Sequence, residues 1–427
     1  MILYPSKTQH ISGKLLGIGV IAVMVLAIAA MVIFTAYRCA KILNQRYVRG
    51  LEPTVPEAAL NMVQNLKVEE QTMEKFLQIM TKEKPVRFTT EQLSSFTNNY
   101  STKLGSGGFG VVYRGQFPNG VKIAVKILNP CLNKRVEAQF MAEVGTIGGT
   151  YHINLVRLFG LCYDQTIAAL VYEYMGNGSL DKYLFTETEV IKWEKLHKIA
   201  VETARGIAYL HEECQQRIVH YDIKPANILL DAKFSAKVAD FGLAKLCNPK
   251  NTQESVSSYR GTPGYSAPEF FLRNYPITHK CDVYSFGMLL FEIIGRRRNA
   301  QDTSSDTLDW FPKQVWDEYE KGELSALVMA CGIGKEDREK AERMSIVALW
   351  CAQDSPEGRP PMSAVVKMLE GGDEIVAPPK PFRYLYSIGM DALKSPCKTG
   401  NAFGSSKGNE GGESSCLPRM EFGCLVH

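Results

Sequence analysis

The sequence predicts an α+β protein of two lobes, a small one on a mostly antiparallel sheet and a larger helical one, with a single membrane-spanning helix ahead of them. Three observations predict it. The stretch from Leu15 to Tyr37 contains no charged residue, and at about 1.5 Å per residue such a helix crosses a hydrocarbon core of about 30 Å. From Leu104 to Tyr174, short alternating apolar runs are bounded by Gly, Pro and Asn, the mark of strands. From Leu180 onward the apolar spacing lengthens to a helical period, as in Trp193 to Glu212 and Lys280 to Ile294.

In chain order, residues 1–14 form a short extracytosolic segment and residues 15–37 the span. A cleaved signal peptide has a shorter apolar region, and a buried core helix rarely lacks all polar positions. Arg38, Lys41, Arg46 and Arg49 follow the span, against Lys7 and Lys14 before it, so the positive-inside bias puts the carboxyl side in the cytoplasm and the protein at a membrane, the plasma membrane foremost. Residues 38–97 are a juxtamembrane segment. Pro53 and Pro56 break it ahead of an amphipathic stretch whose Met62, Leu66, Met73, Phe76, Leu77 and Met80 share roughly helical spacing. Cys39 beside the span reads as a free thiol, with palmitoylation as the alternative. The sheet lobe follows over 98–174, with one helix around Val136 to Thr146, and the helical lobe over 175–371. The tail, 372–427, opens with prolines and is rich in Gly, Ser and Lys, a composition that does not fold by itself.

With 427 residues and 45% hydrophobic content the chain can bury a substantial core. A net charge of +4 is too dilute to mark a nucleic-acid partner. Eleven cysteines without a closely spaced pair indicate neither a zinc site nor a disulfide framework. Asn99-Tyr100-Ser101 and Asn177-Gly178-Ser179 match the glycosylation pattern but fall on the cytoplasmic side, where a local turn accounts for them. Arg296-Arg297-Arg298 follows a helix end at Gly295, where the helix dipole and solvation explain the charge better than a nucleic-acid patch.

Chemistry concentrates in a few runs. Asp222 and Asn227 lie in His220-Tyr221-Asp222-Ile223-Lys224-Pro225-Ala226-Asn227, and Asp240 opens Asp240-Phe241-Gly242. In that order and spacing, one carboxylate can orient a hydroxyl nucleophile while an amide oxygen and a second carboxylate hold Mg²⁺ on nucleotide phosphates. Upstream, Gly105-Ser106-Gly107-Gly108-Phe109-Gly110-Val111-Val112 leads into Ile123-Ala124-Val125-Lys126. Glycines bring backbone N–H groups against phosphate oxygens because no Cβ blocks the approach. Dinucleotide-binding folds use such a run too, but there it opens a helix, whereas here another strand follows.

Together these runs resemble the protein kinase set of Gly-rich loop, strand lysine, catalytic loop and magnesium loop. The resemblance covers roughly residues 98 to 371, taking in Gly261-Thr262-Pro263-Gly264-Tyr265, Ala267-Pro268-Glu269, Asp282-Val283-Tyr284-Ser285-Phe286-Gly287 and Arg359-Pro360. The segments Arg87-Phe88-Thr89 through Ser101 and Leu349-Trp350-Cys351 are similar to plant receptor-like kinases. The resemblance implies the two-lobed kinase fold with ATP in the cleft. It implies that Leu104, Gly105, Ser106, Gly107, Gly108, Phe109, Gly110, Val111 and Val112 line the nucleotide. Lys126 would neutralise phosphates, paired by Glu143 with Glu137 as the alternative, while Lys122 on the same strand is not part of the set. Val171 to Met175 would connect the lobes, Glu173 and Met175 offering backbone partners to adenine, and Tyr172 either guarding the pocket or simply packing.

By the same resemblance Asp222 orients the acceptor hydroxyl, Lys224 steadies the transferring charge, and Asn227 and Asp240 are the Mg²⁺ ligands. Phe241 packs beneath the cleft, Glu269 and Arg359 form a buried ion pair, and Asp282 accepts N–H bonds from the catalytic loop. The Asp-Ile-Lys-Pro pattern and Thr262 point to Ser/Thr acceptors in protein substrates. One departure stands out: Tyr221 occupies a position where many family members carry Arg. An arginine there can fix a phosphorylated loop, so activity is expected to depend less on phosphorylation at Thr252, Ser255, Ser257 or Ser258. The implied function is a membrane-anchored Ser/Thr protein kinase using ATP and Mg²⁺, with a receptor or co-receptor as partner. A catalytically weak signalling scaffold is the alternative, and a nicotinamide-dependent oxidoreductase lacks the parallel sheet it would need.

Overall fold

Alternating burial along the first half of the chain builds a six-stranded sheet. The computed structural model describes residues 85–107, 110–128, 134–164, 167–186, 190–247, 261–271, 275–302, 308–372 and 374–384. The small lobe runs β1 (Val86–Arg87), α1 (Thr90–Phe96), β2 (Lys103–Gly107), β3 (Gly110–Gln116), β4 (Lys122–Leu128), α2 (Lys134–Ile147), β5 (Leu158–Tyr163) and β6 (Ala168–Glu173). Strand order is β1-β5-β6-β4-β3-β2. All neighbours are antiparallel except β1, which runs parallel to β5 with Val86 opposite Gly160. In β4, Ile123, Val125 and Ile127 turn to an apolar cluster with Leu93, Phe88, Phe96, Phe117 and Phe159. A strand alternates its faces, so Lys126 points the other way, toward α2.

Residues 85–97, assigned by sequence to the juxtamembrane segment, are part of this lobe. Thr89 and Gln92 form a capping box, Gln92 N–H to Thr89 Oγ1 at 3.3 Å and Thr89 N–H to Gln92 Oε1 at 2.9 Å. Leu93 is fully buried. The seam depends on Gly160, where a Cβ would come within 2.2 Å of Val86 O and 2.4 Å of the Phe88 ring. Gly160→Ala is therefore expected to destabilise the lobe by about 1–3 kcal/mol. Hydrogen exchange at Phe88 N–H, bonded to Leu161 O at 2.8 Å, checks this. Unchanged protection there would refute it.

The larger lobe carries α3 (Asp181–Leu184), α4 (Trp193–Ala208), β7 (Arg217–Val219), β8 (Ile228–Leu230), β9 (Ala236–Val238), β10 (Lys245–Cys247) and α5 (Lys280–Gly295). It continues with β11 (Ala300–Asp302), β12 (Leu308–Trp310), α6 (Phe311–Lys321), α7 (Leu324–Ala330), α8 (Arg338–Cys351) and α9 (Met362–Glu370). Helix α5 is buried on every side from Cys281 to Ile294, as its continuous apolar run requires. β8 pairs with β9, and β7 with β10, both antiparallel. Residues 374–384, placed by sequence in the unfolded tail, lie along the helical lobe. Trp350 Nε1 donates to Val376 O at 2.8 Å, Gln353 Nε2 to Pro379 O at 2.9 Å, and Phe382 is buried against Trp310.

No helix among the described residues is long and apolar enough to cross a membrane. The span expected at 15–37, the amphipathic stretch 58–80 and residues 385–427 lie outside the described residues.

Candidate active site

Strand β4 delivers Lys126 and helix α2 delivers Glu143 to one buried point. Lys126 Nζ is bonded to Glu143 Oε1 and, at 2.9 Å, to Asp240 Oδ1. Burial would lower the lysine's affinity for its proton, but the two carboxylates outweigh it and raise its pKa, so it is a cation. Asp240 is held below the usual carboxylate range despite its burial, because Lys126 faces it. The second oxygen of Glu143 accepts from the hydroxyl of Tyr172. Tyr172 thus orients the ion pair, beyond the guarding or packing role that sequence offered.

A second cluster forms on the catalytic loop. Asp222 Oδ1 accepts from Thr262 Oγ1 at 2.5 Å, and Asp222 Oδ2 accepts from Asn227 Nδ2 and Lys224 Nζ, each at 2.9 Å. Lys224 Nζ also reaches Thr262 Oγ1 at 2.8 Å. The Asn227 amide nitrogen gives its other bond to Asp222 O at 2.8 Å, which leaves its Oδ1 as an acceptor. Ala239 N–H donates to Asn227 O at 2.9 Å, tying this loop to Asp240. Asp240 takes a left-handed φ of 66° at the turn, and Phe241 is buried edge-on against His220 at 4.8 Å.

Asp282, buried in the first turn of α5, anchors the loop from below. Its two oxygens accept the N–H groups of His220 and Tyr221, each at 2.8 Å. Sequence reasoning missed a third partner, His211, whose Nε2 is 2.9 Å from Asp282 Oδ2. It arrives on a single wide turn, Tyr209–Glu213, at the end of α4, and no spacing rule links positions 71 residues apart. Tyr221, where a cation is absent, is buried with φ 66° and packs against Phe270. Gly261 lies so close that a Cβ would come within 2.8 Å of Tyr221 O. Thr252, Ser255, Ser257 and Ser258 lie outside the described residues.

His279 stands edge-on to His211 at 5.1 Å, with Arg217 Nη1 3.3 Å from its Nδ1. Burial, with the charges of His211, Arg217 and Lys280 beside it and Asp282 opposing them, pushes His279 down to about 3. An unfolded histidine titrates near 6.5. As pH falls the unfolded chain takes the proton first. The group's stabilising contribution is complete above about 6.5 and is lost toward 3, at no more than about 1.4 kcal/mol per pH unit. His279→Gln is expected to flatten the acid limb of a Tm-against-pH profile. Parallel limbs for the two proteins would count against it.

Leu104, Gly105, Ser106 and Gly107 lie on β2 opposite Val111, Val112 and Gly110 of β3. Gly108 and Phe109, at the tip, lie outside the described residues. A Cβ on Gly105 or Gly107 would meet no protein atom within 4 Å, whereas one on Gly110, at φ 133°, would strike Ile127 O. Glu173 donates its N–H to Arg157 O at 3.0 Å, and its carboxylate accepts from Arg157 N–H at 2.8 Å and pairs with Lys237 at 3.0 Å. Met175 is buried with Val156 and Ala239 under Tyr172 and Leu229.

The free amide oxygen of Asn227 and the second oxygen of Asp240 are hard donors of the kind Mg²⁺ takes beside phosphates, so the residues present fit a metal–nucleotide complex. Residues 99–369 match the family described as protein tyrosine and serine/threonine kinase. The chain is 48% identical over 299 residues to a G-type lectin S-receptor-like serine/threonine-protein kinase of Arabidopsis thaliana, covering 69% of this chain and 36% of that one. It is 43% identical over 319 residues to a rust resistance kinase of Triticum aestivum, covering 73% and 49%. It is 44% identical over 301 residues to a leaf rust disease-resistance locus receptor-like protein kinase of Arabidopsis thaliana, covering 69% and 48%. The chain spans about a third to a half the length of these curated relatives.

Proposed function

The chain belongs to the protein tyrosine and serine/threonine kinase family, and from that premise we propose that it transfers the γ-phosphoryl group of MgATP to Ser and Thr hydroxyls of protein substrates. The observation that carries the reading is the junction of the two clusters: Lys126, Glu143 and Asp240 on one side, Asp222, Lys224 and Asn227 on the other, joined through Ala239. Members of this family use ATP and Mg²⁺, the metal screening charge on the phosphates when bound. In this chain Lys126 would hold phosphate oxygens, and Asn227 and Asp240 would hold the metal. Asp222 orients the acceptor hydroxyl and accepts its proton, and Lys224 steadies the moving negative charge. Thr262, seated on Asp222 and Lys224, marks where that hydroxyl sits.

Anchoring at the plasma membrane with the kinase domain in the cytoplasm is supported by the uncharged stretch 15–37 and its basic flank, and by receptor-like relatives. A receptor or co-receptor is the corresponding partner. With apolar packing at Tyr221 in place of a cation, activity depends less on loop phosphorylation. The test incubates the full chain in lipid nanodiscs with MgATP and Ser, Thr and Tyr peptides, beside Lys126→Met. Transfer to Ser and Thr peptides, lowered at least about 10²-fold in the variant, is expected. Equal transfer by both, or none by the wild type, overturns the reading, the latter in favour of a scaffold.

A further inference from the structure

The three arginines after α5 do not share one role. Arg296 ends the helix in the left-handed region (φ 48°) and donates to Ile191 O at 2.8 Å. Arg297 forks onto Asp309, Nη1 to Oδ2 at 2.8 Å and Nη2 to Oδ1 at 2.9 Å. Arg298 is exposed and makes no ion pair with a carboxylate among the described residues. Its guanidinium carbon lies 3.7 Å from the centre of the Phe185 ring, and Nη1 is 3.4 Å from the Tyr265 hydroxyl.

That position borders the acceptor. Tyr265 N–H closes a turn on Thr262 O at 3.1 Å, and Thr262 touches the Asp222 carboxylate. A turn keeps its ends within about 7 Å. Adding the tyrosine side chain and the 3.4 Å contact, Arg298 stands within about five extended residues of the acceptor hydroxyl at ~3.3 Å each. The nearby acid Glu292 is buried with both oxygens taken, Oε2 by the Tyr265 hydroxyl at 2.6 Å and Oε1 by Asn299 N–H at 3.2 Å. Glu292 acts on Arg298 through space, but no carboxylate among the described residues pairs directly with the guanidinium, so its edge is open to a ligand. Asp181, one helical turn before Phe185, makes no ion pair with Arg298 either. Stacking on an aromatic face fixes the guanidinium plane and leaves edge N–H groups outward, a fork that fits a carboxylate or a phosphate.

We propose that Arg298 is a specificity-determining residue that selects an anionic side chain, Asp, Glu or a phosphorylated Ser, a few positions from the acceptor in the substrate. The inference rests on the kinase reading above. Its test compares the full chain with Arg298→Gln and Arg298→Glu on a neutral Ser peptide and on the same peptide carrying one Glu, one phosphoserine or one Lys at each flanking position. Wild-type kcat/KM is expected to favour an acidic peptide about tenfold at some position. The ratio should fall to about one in Arg298→Gln and invert toward Lys in Arg298→Glu, which a merely structural arginine would not do. The Glu and phosphoserine arms separate an acidic residue from a site primed by earlier phosphorylation. An unchanged ratio in both variants, or no acidic preference in the wild type, overturns the proposal. Should no peptide be phosphorylated, the kinase reading fails separately. Fluorescence anisotropy of the acidic peptides on Asp222→Asn, with and without Arg298→Gln, then decides the inference: equal affinity refutes it.

Discussion

Asp222→Asn is expected to cut phosphoryl transfer by about 10²- to 10⁴-fold while leaving the fold in place. Among the described residues, Asp222 Oδ2 takes two donors, Asn227 Nδ2 and Lys224 Nζ, whereas Oδ1 takes the Thr262 hydroxyl alone. An asparagine can keep its oxygen toward the first pair and turn its NH₂ to Thr262 Oγ1, because a hydroxyl accepts as readily as it donates. The hydrogen bonds survive, but the group that could take a proton from the acceptor is gone. Phosphopeptide formation under saturating MgATP measures the loss, and a melting curve measures the fold. Transfer at the wild-type rate with an intact melt would remove Asp222 from its role.

Glu269→Ala is expected to destabilise the helical lobe by about 3–5 kcal/mol. Arg359 donates to both oxygens of Glu269, at 2.7 and 2.8 Å, and neither side chain is exposed. The guanidinium also bonds Gln353 O, Lys280 O and Asp354 O and lies over the Tyr284 ring. Without Glu269 those carbonyls keep its hydrogen bonds, but its charge stays buried and uncompensated. The desolvation penalty of an unpaired ion exceeds what a lost surface pair costs. Urea unfolding reads the change. Replacing both partners, Glu269→Leu with Arg359→Met, should recover part of the stability, since the buried charge leaves with its partner. A double variant weaker than Glu269→Ala would contradict this account.

The parts of the site legible in the sequence are those whose chemistry is short-range. Asp222, Lys224 and Asn227 sit within six positions, so one loop conformation fixes their mutual distances, and the strand pattern around Lys126 fixes which face it takes. The lobe boundary was less legible. Residues 85–97 look like a polar linker until β5 is available to pair with β1, and the fit then turns on the missing side chain of Gly160. The strap 374–384 was hidden for the same reason, because its prolines signal a loop while Phe382 finds its pocket only among helices formed elsewhere.

The sequence by itself determined the family resemblance, the two-lobed order of strands and helices, and the residue types at the candidate site. Those depend on local periodicity and on motifs a few residues long. Only the tertiary structure decided that Tyr172 braces Glu143, that His211 shares Asp282 with the loop at His220 and Tyr221, and that Arg298, unlike Arg296 and Arg297, has no carboxylate or carbonyl partner among the described residues. Such contacts join positions tens of residues apart. They depend on how buried polar groups find partners once the elements pack, and neighbouring sequence carries no signal of that choice.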